Sequence, residues 1–209
     1  MDAMTYKTLQ SEASSEFLIK KSKFIGYGSP AQTEEEALAF LQRIRQQHRD
    51  ASHNCYAYVI GKNSGIMRYS DDGEPSGTAG MPIVDVIRAR GVVNCCVVVT
   101  RYFGGILLGA GGLVRAYAQG AKTALDAANV ITMERSLRFW AGMPYADWER
   151  VAHYLKDAPV ITEDVEYGVT VTATLIVRAK DIGAVYANIT QMTDARADLM
   201  ELESFFYGW

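Results

Sequence analysis

Val92-Val93-Asn94-Cys95-Cys96-Val97-Val98-Val99-Thr100 is apolar at both alternating positions. A strand with two apolar faces is a central one, covered by a layer on each side. It leads into Arg101-Tyr102-Phe103, a glycine-rich loop over residues 104–112, and a small-residue helix from Leu113 to about Ala128. A second glycine-rich loop lies upstream, Asp71-Asp72-Gly73-Glu74-Pro75-Ser76-Gly77-Thr78-Ala79-Gly80. Pro82 suits the first turn of the helix that follows, where its missing N–H would be unpaired in any case. Ile83, Val86 and Ile87 continue that helix on one face, and Gly91 ends it. The central strand is thus flanked by two loop-then-helix units.

Further upstream, residues 16–19 and 22–27 read as strands. Thr33 caps a helix whose first turn holds Glu34, Glu35 and Glu36, which complement the helix dipole. Ala37, Phe40, Leu41 and Ile44 form its apolar face, and His48 falls on the same stripe as a packing or C-terminal residue. Residues 53–60 read as a strand, with 66–69 as its partner. Downstream, a strand over 135–142 precedes a helix over 145–156, and a strand over 160–166 turns at Tyr167-Gly168. Val169, Val171, Ala173 and Leu175 alternate with threonines as in a half-buried strand. Ile182, Val185, Tyr186, Ile189 and Met192 predict a helix, and 197–206 the last strand, with Phe205, Phe206, Tyr207 and Trp209 packing its end. This βαββαβ order is the split-βαβ, or ferredoxin-like, arrangement. Twelve of the 18 glycines lie between Gly61 and Gly120 and only four follow Arg135, so a boundary is placed near Val130–Arg135. The expected domains are 1–133 and 134–209.

Of the 209 residues, 49% are apolar and 22% charged, which excludes wholesale disorder. No run approaches the ~18 apolar residues of a membrane span, and Met1-Asp2-Ala3-Met4-Thr5-Tyr6-Lys7 has no apolar leader core. Cys95 and Cys96 point to opposite faces of a strand, so three cysteines make no disulfide framework. The expectation is a cytoplasmic protein with no membrane association. The net charge of −3 speaks against a general polyanion binder. It is uneven, +1 through Glu134 and −4 from Arg135 onward, so any phosphate site is local and lies in the first part.

Glycine-rich loops that open helices suit anions, because the first helical N–H groups lack acceptors and glycine lets a phosphate approach. The candidate site is Ser76, Gly77 and Thr78 from one loop, Gly104, Gly105, Gly109, Gly111 and Gly112 from the other, with Arg101, Arg115 and a stacking Tyr102. The competing reading is tight packing, with Arg101 and Arg115 paired to Asp71, Asp72 or Glu74. Neither a P-loop nor a dinucleotide fingerprint is completed, since Val114 stands where a third glycine is needed. His53 and Cys55 share a strand face and could form a thiolate–imidazole pair or simply pack. Asp71, Asp72 and Glu74 could hold Mg²⁺ or form a solvated turn. Tyr56 and Tyr58 share the opposite face. No catalytic group, cofactor or metal site is assigned, and the reading leans away from an enzyme.

The two long blocks, residues 71–80 and Val97 through Tyr117, together with Ser22-Lys23-Phe24-Ile25 and 51–58, resemble the signature of the IMPACT family. The last third is similar to the bacterial C-terminal extension of that family. The resemblance implies an α+β fold. The first domain should be like a small-subunit ribosomal protein and domain IV of elongation factor G, the second like the ferredoxin-like domain V of the same factor. It also implies translation regulation, which eukaryotic members perform with an extra N-terminal domain through the activator of a Gcn kinase. For the bacterial form it implies RNA or ribosome association, or a protein partner in translation control. The family often carries a basic residue after the first glycine loop, where this chain has Met81. The alternatives to RNA binding are a Mg²⁺-dependent enzyme on a phosphorylated small molecule and a protein-interaction module.

Overall fold

The computed structural model describes residues 5–209. Met1 to Met4, read above for a leader, lie outside the described residues. The chain divides into two compact units, the first through Thr132 and the second Met133–Trp209.

The first unit is built on a five-stranded antiparallel sheet. Its strands are β2 (Ala13–Ile19), β3 (Ser22–Pro30), β4 (His53–Ile60), β5 (Ile66–Ser70) and β6 (Cys95–Tyr102), ordered β2-β3-β6-β4-β5. The apolar stretch quoted at the outset does take the centre, although the strand begins at Cys95 rather than Val92. Asn94 sits at φ 52°, a left-handed backbone that interrupts extension there. A short strand, β1 (Thr5–Leu9), was invisible in the sequence; Lys7 forms an isolated bridge to Val92.

Helix α1 (Glu34–Gln47) packs on one face of this sheet against Tyr27, Tyr58, Cys96 and Val98. Thr33 caps it as expected, its Oγ1 accepting from the Glu36 N–H at 3.2 Å. Helices α2 (Gly80–Arg90) and α3 (Ala110–Ala127) pack on the other face against Cys55, Cys95, Val97 and Val99. The neighbours Cys95 and Cys96 therefore enter different cores, and all three cysteines are buried and free.

Glycine sets the distance between α3 and the sheet. A Cβ on Gly26 would lie 2.3 Å from the Gly120 carbonyl oxygen, and one on Gly120 would lie 2.8 Å from Val99. Two glycines facing each other let strand β3 and helix α3 touch backbone to backbone.

The second unit runs β7 (Val130–Met143), α4 (Tyr145–Leu155), β8 (Val160–Tyr167), β9 (Val171–Arg178), α5 (Ile182–Met192) and β10 (Asp198–Gly208). Its antiparallel order, β10-β7-β9-β8, is the ferredoxin-like arrangement. Both helices cover one face through Val151, Leu155, Val185 and Ile189. Asp147 is fixed by Arg196, through hydrogen bonds of 2.7 and 2.9 Å, and by Arg150. The Arg196 hydrogen bonds above all hold its carboxyl down to about 2. No helix among the described residues is long and apolar enough to cross a membrane.

His48 closes α1 and joins three elements. Its Nε2 lies 2.6 Å from the Tyr27 hydroxyl and its Nδ1 2.8 Å from the Tyr102 hydroxyl. Burial pushes the imidazole below its ordinary value; Asp50 raises it in part and Lys23 lowers it further. The unfolded chain therefore takes the proton more readily, and stability falls as pH drops through about 6.5. The difference in thermal midpoint between pH 8 and pH 5.5 should shrink in His48→Gln. Gly26→Ala should lower stability by about 1–3 kcal/mol through overpacking, read by urea denaturation. Gly183→Ala, with nothing within 4 Å of the new methyl, should be neutral or slightly stabilising.

Candidate functional site

The period of two along β6 sorts the residues of the candidate site. Val97 and Val99 face α2 and α3, so Arg101 does too; Val98 faces α1, so Tyr102 does as well. Tyr102 donates to Asp50 at 3.2 Å and packs edge-on against His48, on the sheet face opposite Arg101. Arg101 and Tyr102 are thus adjacent in sequence but not in one site.

Arg101 stands directly across from His53 on β4 and Phe24 on β3. It is only 5% exposed. Its Nη1 donates to Glu74 Oε1 at 2.7 Å, and Glu74 is itself 8% exposed. The same oxygen accepts from the Tyr117 hydroxyl of α3 at 2.7 Å. Among the described residues Nη2 reaches only Ser22, at 3.5 Å, and the buried Nε–H has no acceptor. The guanidinium lies 5.5 Å from the Phe24 ring centre and 5.4 Å from that of Phe103. Burial, Cys55 and Glu74, in that order, push the Tyr117 phenol far above its ordinary value, so it stays a donor.

The two acidic neighbours of Glu74 serve other ends. The Asp71 carboxylate accepts from the backbone N–H groups of Gly77 (2.9 Å), Ala79 (3.0 Å) and Gly80 (2.8 Å). It thereby fills the start of α2, where an anion was expected beside Ser76 and Thr78; the Thr78 hydroxyl donates to the Pro75 carbonyl at 2.6 Å. Burial works against the Asp71 charge, but the Gly77, Gly80 and Ala79 hydrogen bonds outweigh it and hold the carboxyl below its ordinary range. Asp72, at φ 45°, accepts from the Asn54 N–H at 2.6 Å and from Arg45 at 2.8 Å. Three carboxylates turned to three sets of partners do not converge on a cation. Among the described residues no group of three or more His, Cys, Asp or Glu is placed to hold one.

His53 and Cys55 are not paired either. The Cys55 thiol donates to the Asp71 carbonyl at 2.9 Å, and burial pushes it far above its ordinary value. The His53 Nδ1 lies 2.9 Å from the Asp72 carbonyl oxygen, which can only accept. Nδ1 therefore carries a proton, leaving Nε2 turned elsewhere, 3.8 Å from Glu74 Oε1.

The second glycine loop behaves differently from the first. Gly104 packs so closely that a Cβ would lie 2.1 Å from the Lys21 carbonyl carbon, a packing role. Gly105 (φ 80°) and Gly109 (φ 71°) take left-handed backbones with open space around them. Gly109 starts α3 with no side-chain cap. Among the described residues, the N–H groups of Ala110, Gly111 and Gly112 have no acceptor, the first helical bond being Leu113 to Gly109. Arg115 is exposed, folds back to within 3.7 Å of the Cβ position of Gly111, and makes no ion pair among the described residues.

The two loops meet at a cleft of about 470 Å³, within the ~300–1,000 Å³ range of small-ligand sites. His53, Glu74 and Arg101 line it, with Pro75 from the first loop and Leu107 through Ala110 from the second. Phe103, a residue 47% exposed, forms one wall. The sequence offered Tyr102 and Phe103 together as a stacking pair beside Arg101 and carried only Tyr102 into the candidate site, and it weighed His53 only with Cys55; the alternation Val97, Val99, Arg101, Phe103 was the signal that favours Phe103 over Tyr102. Ser76, Gly77 and Thr78 do not line the cleft.

Residues 20–125 match the Impact N-terminal domain, and residues 142–196 match a domain of unknown function, DUF1949. The chain is 38% identical to IMPACT family member YvyE of Bacillus subtilis, over 95% of this chain and 92% of that one. It is 36% identical to a Haemophilus influenzae IMPACT family member, over 88% and 91%. With mouse Protein IMPACT it shares 34% identity over 95 residues, only 29% of the mouse protein. A crystal structure of a hypothetical protein superposes with a TM-score of 0.61 at 30% identity, covering 96% of this chain and 98% of that one.

Arg101→Ala should cost about 3–5 kcal/mol, because it strands a buried Glu74 charge, and should show as a lowered urea midpoint. Asp71→Ala should cost up to about 2 kcal/mol by uncapping α2. Its native carboxyl is held below the unfolded value, so its contribution is complete at neutral pH. The contribution declines as pH falls below about 4, and the variant should lose that part of the acid sensitivity.

Proposed function

This chain belongs to the IMPACT family, and from that premise we propose that it is a translation-linked accessory protein that binds single-stranded RNA, free or on the ribosome. One phosphate sits at the start of α3, and the adjoining base enters the cleft. The observation that carries this reading is the pairing of three N–H groups that lack an acceptor among the described residues with an Arg115 that has no ion-pair partner among them, beside an exposed aromatic residue. A helix N-terminus and a guanidinium are the groups that recognise phosphate, and Phe103 offers a face on which a base can stack. The working residues of the proposed site are Arg115, Gly109, Gly111, Gly112 and Phe103. Arg101 shapes the floor, and Tyr102 lies outside it.

The acidic balance of the chain fits a small site of this kind. Neutralising one or two phosphates gives a shallow dependence on salt, with a log–log slope of about −1 for single strands. Arg115→Glu should weaken binding of a short single-stranded RNA about ten-fold or more at low salt and flatten that slope. Phe103→Ala should weaken it by about 1–3 kcal/mol, the worth of one stacked base. Both side chains are exposed, so both variants should keep the circular dichroism of the parent. Unchanged RNA affinity in a folded double variant would overturn the reading.

A further inference from the structure

We infer that the Lys20-Lys21 turn carries the RNA backbone onward from the cleft, an inference that rests on the RNA binding proposed above and extends its contact surface. Ile19 pairs with Ser22, so β2 and β3 are joined by two residues only. Lys20 has φ 45° and Lys21 φ 68°, both left-handed, as a type I′ hairpin turn requires. Asn-Gly is the sequence such a turn favours, because asparagine bonds its own backbone and glycine has no Cβ to clash. Lysine has neither property. Both lysines are exposed, and neither ammonium has an ion pair or hydrogen bond among the described residues. The turn therefore gives up stability to hold two cations for which the described residues offer no partner. Backbone strain of this kind gathers where it serves a site.

The fold says which site it serves. Lys23 stands across from Tyr102 in the β3–β6 ladder, so the turn lies at the end of the central strand from which the second glycine loop departs. The Gly104 N–H donates to Ser22 Oγ at 3.1 Å, and a Cβ on Gly104 would lie 2.2 Å from the Lys21 carbonyl oxygen. The loop is pressed onto the turn itself. The residue before Gly104 is Phe103, which shares the cleft with Gly109 and Ala110 at the start of α3. These contacts give one order: the turn, Gly104 beside the aromatic wall, the cleft, then the start of α3. A base stacked on Phe103 has a phosphate on each side of it along the strand. One goes to the α3 N–H groups and Arg115, and the strand leaves the other way toward the turn. Ammonium groups on flexible stems suit that task, since they neutralise a passing phosphate without fixing its geometry. The acidic residue of β2, Glu16, is already paired with Lys23 at 2.7 Å.

The test measures binding of the full chain to a fluorescently labelled uridine octamer and, by competition, to a uridine dinucleotide with a 5′ phosphate, each over a range of salt. The dinucleotide should show the shallow slope of the cleft alone. The octamer, which reaches the turn, should be steeper by about 1.4, or ~0.7 for each further phosphate. Lys20→Asn with Lys21→Gly removes both charges and gives the turn its favoured residues. That variant should raise the urea midpoint, weaken the octamer about ten-fold at low salt, abolish the extra slope and leave the dinucleotide unchanged. Lys20→Arg with Lys21→Arg keeps the charges and should keep the octamer affinity. Lys7→Gln with Lys122→Gln removes as much charge elsewhere in the first unit and should leave the octamer close to the parent. A stabilised Asn-Gly variant that binds the octamer as the parent does overturns the role of the turn and leaves the cleft reading standing. An equal loss in the Lys7 and Lys122 variant overturns it too, as an effect of net charge alone. If the Asn-Gly variant does not fold, the slopes on the unaltered chain decide, and equal slopes for the two oligomers overturn the inference. A parent chain that binds neither oligomer overturns both readings.

Discussion

The buried ion pair between Arg101 and Glu74 organises the first unit. Both side chains are almost wholly withdrawn from water, and a pair of this kind gains little over apolar residues of the same size. Its weight lies in what it connects. Arg101 comes from the central strand, Glu74 from the loop that precedes α2, and Tyr117, bonded to the same carboxylate oxygen, from α3. Neither charge can leave the others without remaining unpaired in a low dielectric, so the loop, the strand and the helix hold one relative position. The backbone-to-backbone contact of Gly26 with Gly120 brings α3 near enough for the Tyr117 hydroxyl to take part.

Much of this was legible in the residues. The doubly apolar stretch ending at Thr100 placed the centre of the sheet, because only a strand covered on both sides tolerates valine at every position. Strand order was beyond periodicity, since alternation says which face a residue occupies and not which strand lies beside it. β1 was missed because Thr5-Tyr6-Lys7-Thr8-Leu9 has too little alternation to stand out, and β9 was set two residues early because Val169 continues the pattern of Val171 and Ala173. The candidate site was legible as a neighbourhood and not as a set of contacts. Arginine and carboxylates in two glycine-rich blocks pointed to the region, and the packing alternative named the pairing of Arg101 with Glu74. Which carboxylate pairs with which donor depends on loop geometry, such as the left-handed backbone at Asp72 and Gly73, that no spacing rule supplies.

The second unit handles its charges in a different way. Its sheet face away from the helices carries Phe205, Tyr207 and Trp209 in a chain of edge-on rings. Arg138 lies over Phe205 at 4.8 Å and Arg178 over Trp209 at 4.0 Å, and both are also paired with glutamates. Aromatic surface on an open sheet invites stacking, but here the protein's own guanidinium groups occupy the ring faces. The acidic balance of this part, with Glu134, Glu163 and Glu203 beside those arginines, disfavours a phosphate chain on the same face.

The two glycine-rich loops began as equivalent candidates, and the contrast between them carries the last step. Each opens a helix whose first N–H groups need an acceptor. At α2 the need is met from within, because Asp71 precedes the helix by a turn tight enough to fold its carboxylate back onto Gly77, Ala79 and Gly80. At α3 the residues ahead of the helix are Ile106, Leu107, Leu108 and Gly109, which have no side-chain acceptor to offer. The same electrostatics therefore produces a closed cap in one place and an open one in the other. The open end adjoins the cleft, where the ion pair has already fixed the floor. Under the proposed reading, an anion arriving there would meet donors with no acceptor among the described residues and a wall already held in place, which is the condition under which a few contacts suffice for recognition.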